Sequence, residues 1–191
     1  MFYFENRPTI SYDIFQNEKP ITVTDIMGRF IIDSIVGDRY LVLQDYTIQD
    51  GERADTVAYK LYGDASLDWI IMLTNQMYDP YYEWPLDYKQ FRDYVIQKYG
   101  SISNAMEQTH HYEQIIQSKS SFVGYDGTKL NVPERMLVVD YTTYNTLEPN
   151  EKRLVTSYEY EEAQNEQRRK IKTINPALIP ELLQKYESIF K

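Results

Sequence analysis

The apolar positions are spaced most regularly between Leu41 and Leu86, where the pattern predicts one strand followed by two short helices. Residues Leu41 to Ile48 are rich in β-branched and aromatic side chains and are followed by the turn pair Asp50-Gly51. Both features are typical of a strand that ends in a tight turn.

The first helix after this turn is predicted from apolar residues at positions i, i+3, i+4 and i+7. These residues are Ala54, Val57, Ala58 and Leu61. Gly63 supplies the left-handed residue that ends a helix. The second helix, Leu67 to Leu73, is apolar nearly all round, so we expect it, with Trp69, to be buried on more than one side.

Polar residues are expected to mark both ends of the second helix. Asp64 or Ser66 is placed to cap its start. Asn75 and the turn at Asp79-Pro80 are expected to stop it. The residues to which we assign a structural role are Gly51, Gly63, Trp69, Asp79 and Pro80.

The stretch from Glu52 to Trp84 reads from ERADTVAYKLYG to DPYYEW, and so follows roughly the pattern ER-x-x-x-x-A-Y-x-L-Y-G, then W, N and D-P-Y. In this pattern it resembles a known family, the LysM-like baseplate wedge proteins of contractile-tailed, T-even-type bacteriophages. Weaker agreement lies in the flanks, at Tyr12, at Lys98-Tyr99-Gly100 and at Asn165, Glu166, Arg169 and Ile171.

The resemblance implies an α+β fold built around a LysM-like strand-helix-helix module. It also implies a structural subunit of the tail baseplate, assembled in the host cytoplasm and found in the virion, which clamps neighbouring wedge proteins and helps join wedges around the tail tube. The second LysM strand is not found directly after Asn75, so the closing strand must come from later in the chain or be lost.

We expect four segments: an N-terminal arm over residues 1–38, the LysM-like module with a following helix over 39–100, a small antiparallel β region over 101–150, and C-terminal helices over 151–191. No sustained periodicity appears in the arm, although Thr24 to Ile32 fits either a short helix or a short strand.

Past the central module, a helix is predicted from Tyr88 to Tyr99, capped by Asp87 and ended by Gly100. Three stretches then read as a small antiparallel sheet. They are a strand at His111 to Gln117, a hairpin at Phe122 to Val132 that turns at Asp126-Gly127, and a strand at Met136 to Thr142.

Two helices are predicted at the C-terminus. The first, from Thr156 to about Ile171, has a narrow apolar stripe, whereas the second, from about Pro176 to Phe190, has a wide apolar face. Either the small sheet of residues 111–142 or a helix of a partner protein is expected to cover that face. Because the central module has its own strand, helices and caps, a chain that ends near Asn150 is expected to keep that module folded but to lose attachment to the other baseplate components.

The candidate partner-binding residues come from three places. The chain carries 19 tyrosines in 191 residues. A single core cannot bury so many rings and also give every hydroxyl a hydrogen-bond partner, so many are expected at the surface or in interfaces. The candidates are Phe2, Tyr3 and Phe4 in the arm, Tyr78, Tyr81, Tyr82 and Trp84 in the loop, and Leu178, Leu182, Tyr186 and Ile189 in the last helix.

Two of these places leave alternatives open. The aromatic tip of the arm is expected to dock either on its own domain or on a neighbour, because exposed rings are unfavourable in water. The stretch from Asp79 to Trp84 fits either a carbohydrate-contact loop or, as we favour, a rigid turn that packs its rings under the second helix.

Composition narrows the function classes. There are 29 acidic against 20 basic residues, a net charge of −9, which argues against a partner such as duplex nucleic acid. Because there is no cysteine, disulfides and thiolate sites are excluded. The N-terminus does not fit a signal peptide, and the longest apolar run, Trp69 to Leu73, is too short to span a membrane.

Chemistry gives few signals. No phosphate-binding, dinucleotide-binding, serine-hydrolase, zinc-protease or calcium-loop motif is present, so no catalytic, cofactor or metal residue is assigned. The only histidines, His110 and His111, are expected to point to opposite faces of a strand. A metal site at His111 and Glu113 would need a third ligand, so we favour an ordinary strand.

Three function classes therefore compete. A structural baseplate wedge subunit in a hetero-oligomeric assembly is favoured by the resemblance, the tyrosines and the aromatic arm. A peptidoglycan-binding LysM module would need an open groove between the second helix and a second strand. A cell-wall hydrolase would need a convergent pair of carboxylates, and the spacing of the 29 acids singles out no pair.

Overall fold

The computed structural model describes residues 2–5, 7–16, 18–26, 43–123, 125 and 127–189. The chain divides into two compact units, one formed by Met1–Asp87 with Gln167–Lys191 and the other by Tyr88–Glu166. The fold contains helices and small antiparallel sheets, as the α+β prediction requires. In the described residues no helix is long and apolar enough to cross a membrane.

The first unit begins with a two-stranded hairpin that the sequence did not predict. Strands β1 (Thr9–Tyr12) and β2 (Ile21–Thr24) pair antiparallel, with Ile10 opposite Val23. At four residues each, these strands are too short to show a clear period of two. Of the ambiguous stretch from Thr24 to Ile32, residues 27–32 lie outside the described part of the chain.

The central strand β3 (Leu43–Thr47) pairs antiparallel with β9 (Lys170–Ile174), far along the chain. The predicted start at Leu41 lies outside the described residues. The pairing partner of β3 thus comes from later in the chain. The prediction of a helix reaching Ile171 is wrong, because β9 buries alternate residues Ile171 and Thr173, which is the pattern of a strand.

The two central helices form where the sequence predicted them. Helix α1 (Ala54–Tyr62) ends at Gly63, whose φ of 77° is left-handed. A short 3₁₀ turn (Ala65–Leu67) then leads into α2 (Asp68–Thr74). The side chain of Asp64 caps the turn by accepting from the N–H of Ser66. Asn75 ends α2, as expected.

The C-terminus completes the core of this unit. A 3₁₀ turn (Pro176–Leu178) leads into helix α8 (Ile179–Ile189). One apolar cluster unites α2, β9 and α8, and contains Leu67, Trp69, Ile70, Ile174, Ile179, Leu182 and Tyr186. A second unites β3, α1, α2 and β9, and contains Ile48, Val57, Ala58, Ile71 and Ile171. Helix α2 is apolar all round because it serves both clusters.

The structure changes two expectations about the C-terminus. The wide face of α8 packs against α2 and β9 of its own unit, a cover that the sequence did not predict. A chain ending near Asn150 would also lose the pairing partner of β3. The two clusters show that the central module needs residues from the C-terminus to bury its core.

The second unit begins with α4 (Tyr88–Tyr99), which has the predicted bounds, and α5 (Ile102–Glu107), which was not predicted. Strands β7 (Arg135–Val139), β4 (Thr109–Gln117) and β8 (Lys152–Thr156) form an antiparallel sheet in that order.

A separate hairpin in this unit joins β5 (Ser120–Val123) and β6 (Lys129–Val132). Its predicted turn includes Gly127, which has a φ of 81°, while Asp126 lies outside the described residues.

Three other predictions for this unit needed correction. The last predicted strand does not reach Thr142, because Asp140 caps helix α6 (Tyr141–Thr146) by accepting from the N–H of Thr142. Strand β8 replaces a predicted loop, and helix α7 (Ser157–Arg168) ends before β9. Strand β8 and the end of α7 were predicted wrongly because the apolar residues show no clear period in the charged sequence at either end of α7.

Candidate functional site

The polar residues of the central motif hold the turn after β3. The carboxylate of Glu52 accepts hydrogen bonds from the hydroxyl of Tyr46 at 3.0 Å and the N–H of Gln49 at 2.8 Å, and it pairs with Lys60. Burial would raise the pKa of Glu52, but these hydrogen bonds, that of Lys60 first, lower it overall. The indole N–H of Trp84 donates to the carbonyl of Glu52 at 2.8 Å, which brings the end of the motif back to its start.

Other motif residues hold strand β9 in place. The hydroxyl of Tyr62 accepts from the N–H of Ile174 at 3.1 Å, and burial raises the pKa of Tyr62. Asn75 bonds to both the N–H and the carbonyl of Lys172, at 2.7 and 2.8 Å. Residues of the motif between Glu52 and Trp84 therefore hold strand β9, which lies near the C-terminus of the chain.

Arg169 holds the start of strand β9 through hydrogen bonds. Its guanidinium donates to the Asp50 carboxylate at 2.8 Å and to the carbonyl of Leu86 at 3.1 Å. Its own carbonyl accepts from the N–H of Ile48 at 2.9 Å. The weaker flank of the resemblance, which includes Arg169 and Ile171, thus meets the central motif in space.

The most exposed part of the motif is a short turn of residues 78–83, which we name the tyrosine turn. Helix α3 (Pro80–Glu83) forms it, with Pro80 in the first turn of the helix. Asp79 accepts from the N–H of Tyr81 at 3.0 Å, and Glu83 accepts from the N–H groups of Tyr78 and Asp79 at 2.6 and 2.9 Å. Two carboxylates thus fix the backbone of the turn.

The tyrosine rings on this turn face solvent. Tyr78, Tyr81 and Tyr82 are 70%, 81% and 70% exposed, and the rings of Tyr81 and Tyr82 meet edge to face at 5.1 Å. The prediction of a rigid turn agrees with the hydrogen bonds, but the prediction that its rings pack under α2 is wrong for these three. Of the aromatic residues named there, Trp84 packs against the second core cluster.

The arm docks through one residue of its aromatic tip. Tyr3 lies against the rings of Trp69 and Tyr186, at 5.5 and 6.0 Å, and its carbonyl accepts from the Tyr186 hydroxyl. The guanidinium of Arg7 lies 4.7 Å above the Tyr3 ring. Phe2 and Phe4 stay more than half exposed.

The candidate partner-binding residues of the last helix also divide into buried and exposed ones. Leu182 and Tyr186 are 3% and 0% exposed, and Leu178 packs against the same cluster. The chain itself covers these three, whereas Ile189 is more than half exposed. The candidate residues that stay exposed are therefore Phe2, Phe4, Ile189 and the three tyrosines of the tyrosine turn.

The two histidines do not behave as predicted. A β-bulge between Thr109 and His111 breaks the alternation of β4, so the Nδ1 atoms of His110 and His111 lie 2.7 Å apart. His110 stacks on Tyr160, and the Nε2 atom of His111 lies 3.3 Å from Glu113. Among the described residues, no three His, Cys, Asp or Glu side chains are placed to hold a metal ion.

Sequence reasoning missed a polar centre in the second unit. The buried carboxylate of Glu161 accepts from Lys98 at 2.6 Å, Tyr99 at 2.9 Å and Tyr94 at 3.1 Å. Burial would raise the pKa of Glu161, but the hydrogen bonds from Lys98 and Tyr99 lower it overall. The sequence shows Glu161 only as one acid in a charged helix, so no local signal marks this centre.

Two comparisons with known proteins bear on the family of this chain. The family model described as base plate wedge protein 53 matches residues 3–187. A relative, the baseplate wedge protein gp53 of Enterobacteria phage T4, is 33% identical over 99 residues, which is 51% of this chain and 44% of the relative. The match thus spans less than half the length of that relative. Since the family model covers nearly the whole chain, the protein belongs to the base plate wedge protein 53 family of phage tail baseplate structural proteins.

Proposed function

We propose that this protein is a structural subunit of the baseplate wedge that clamps neighbouring wedge proteins and helps join adjacent wedges around the tail tube. The observation that carries this proposal is the family match over residues 3–187. Its proposed partners are other wedge proteins and neighbouring wedges, in a hetero-oligomeric assembly without nucleic acid or membrane. The proposed location is the tail baseplate of the virion, after assembly in the host cytoplasm.

The geometry of the first unit supports a clamp. Glu52, Asn75 and Arg169 join segments that lie far apart in the sequence, so the unit is braced from several directions. A rigid scaffold loses little conformational entropy when it binds. The tyrosine turn offers three exposed rings on a backbone already fixed by two carboxylates.

The peptidoglycan-binding alternative would need an open groove between α2 and the second strand. In the first unit these elements touch directly, because Ile71 and Ile171 share a core cluster and Asn75 bonds to Lys172. The contacts at these residues favour a packed seam.

The test is reconstitution of a wedge from purified components of the same phage, with and without the full chain. We expect the chain to enter the wedge at fixed stoichiometry and wedges without it to associate poorly with one another, measured by light scattering and electron microscopy. Wedges that join equally well without the chain would contradict the proposal.

A further inference from the structure

We infer that the tyrosine turn binds a basic segment of a neighbouring protein, with arginine or lysine side chains seated against Tyr78, Tyr81 and Tyr82. This inference rests on the proposed function, since it names the chemistry of a partner in the wedge. It follows from the exposure of the rings, the rigidity of the turn and the charge around it.

The rings are presented for binding rather than for packing. All three side chains are at least 70% exposed, although tyrosine carries a large apolar ring. Asp79 and Glu83 bond to backbone N–H groups within the turn, so its shape does not depend on the rings. Aromatic side chains on a backbone fixed in this way bind at a lower entropic cost than side chains on a loop that must first be ordered.

All charged residues on either side of the turn along the chain, between Leu61 and Tyr88, are acidic. From Leu61 to Tyr88 there are five acidic residues and no lysine or arginine. The acidic residues are Asp64, Asp68, Asp79, Glu83 and Asp87. With a net charge of −9 for the whole chain, the surface attracts cations and repels a second copy of itself.

Each carboxylate of the turn uses one oxygen for the backbone and keeps the other for a further partner. Among the described residues, Oδ1 of Asp79 and Oε2 of Glu83 accept the backbone bonds, while Oδ2 of Asp79 and Oε1 of Glu83 accept none. A guanidinium group can stack on a tyrosine ring and donate to a carboxylate at the same time. Rings and free carboxylate oxygens together therefore fit arginine better than an uncharged partner.

The experiment measures binding of a fluorescent oligo-arginine peptide to the full chain, with oligo-glutamine of equal length as the uncharged control. Replacing Tyr78, Tyr81 and Tyr82 together by alanine should weaken binding about tenfold or more, whereas phenylalanine at all three positions should keep most of it. Tyr125→Ala, an exposed tyrosine of the other unit, is the matched control and should change nothing. Circular dichroism checks that each variant is folded.

Equal peptide affinity of the alanine variant and the unmodified chain would overturn the inference, because binding would then follow net charge alone. Dimerisation that the alanine variant abolishes, without a change in peptide affinity, would also overturn it and assign the rings to a second copy. In wedge reconstitution, normal assembly of the alanine variant would contradict this inference but not the proposed function. Failure of the unmodified chain to assemble counts against the proposed function.

Discussion

Asn75 and Lys172 are joined by two hydrogen bonds, in which the Lys172 N–H donates to Oδ1 of Asn75 at 2.7 Å and Nδ2 of Asn75 donates to the Lys172 carbonyl at 2.8 Å. The same Nδ2 donates to the carbonyl of Ile71 at 2.8 Å. One amide side chain thus ends helix α2 and serves as a bonding partner for strand β9. This explains why asparagine, with a donor and an acceptor on one short side chain, suits this position.

Replacing Asn75 by alanine should lower the free energy of unfolding by about 1–3 kcal/mol, because it leaves backbone groups of β9 and α2 without their partner. Urea denaturation measures the change. Lys172→Ala is the matched control, since Lys172 meets Asn75 through its backbone and its side chain pairs with Asp45 at the surface. That control should cost less than about 1 kcal/mol. Equal costs for the two variants would contradict the role of Asn75.

Trp69→Ala should cost about 3–5 kcal/mol, because Trp69 is buried among α2, β9 and α8 and its loss leaves a large cavity. Its ring also contacts Tyr186, with 4.9 Å between the ring centres, and Tyr3. Chemical denaturation measures the cost, with Tyr59→Ala as an exposed aromatic control on α1. A loss below 1 kcal/mol would show that this face of α2 is not buried.

Gly63 should tolerate asparagine better than valine. Its φ of 77° is left-handed, and no atom lies within 4 Å of an added Cβ, so the cost arises from backbone strain rather than from a clash. Gly63→Val should lower the free energy of unfolding by about 1–2 kcal/mol or more, and Gly63→Asn should lower it by less. The melting temperatures of both variants test this order. Equal melting temperatures would contradict backbone strain at this position.

A chain ending at Asn150 should lose the cooperative unfolding of the first unit, because β9 and α8 supply buried residues to both core clusters. Circular dichroism and urea titration would show a broad, non-cooperative transition. Adding a peptide of residues 167–191 should restore part of the folded signal, whereas the same peptide with Ile171→Asp should not. A truncated chain with a sharp transition of its own would contradict this prediction.

The stability of the second unit should fall in acid because of Glu161. Its pKa is lowered from the ordinary value of 4.5, so its contribution is complete above that value and is lost as the pH falls through the lower pKa of the folded state. The pKa of its partner Lys98 is raised by this hydrogen bond, so Lys98 keeps its charge throughout the acid range. Urea midpoints across the acid range measure the effect.

Glu161→Gln should lower stability near neutral pH by about 1–3 kcal/mol and flatten its dependence on acid. Glu162→Gln, on the same helix, is the matched control. If both variants keep the full acid dependence, other carboxylates are responsible for it.

The sequence by itself determined where several helices of this protein begin and end. The left-handed Gly63, the cap at Asp64, the stop at Asn75 and the bounds of α4 all depend on residues within a few positions of one another. Such signals are short-range because they arise from backbone conformation and from side chains that bond to nearby N–H groups. The family pattern was also contained in the sequence, in one stretch from Glu52 to Trp84.

Only the tertiary structure decided which segments meet. Lys170–Ile174 is five residues long, and its sequence fits the end of a charged helix as well as a strand, until β3 pairs with it. The same holds for the wide face of α8, whose cover is α2. Because pairing across more than a hundred residues depends on burial and shape rather than on a local period, no single stretch of sequence records it.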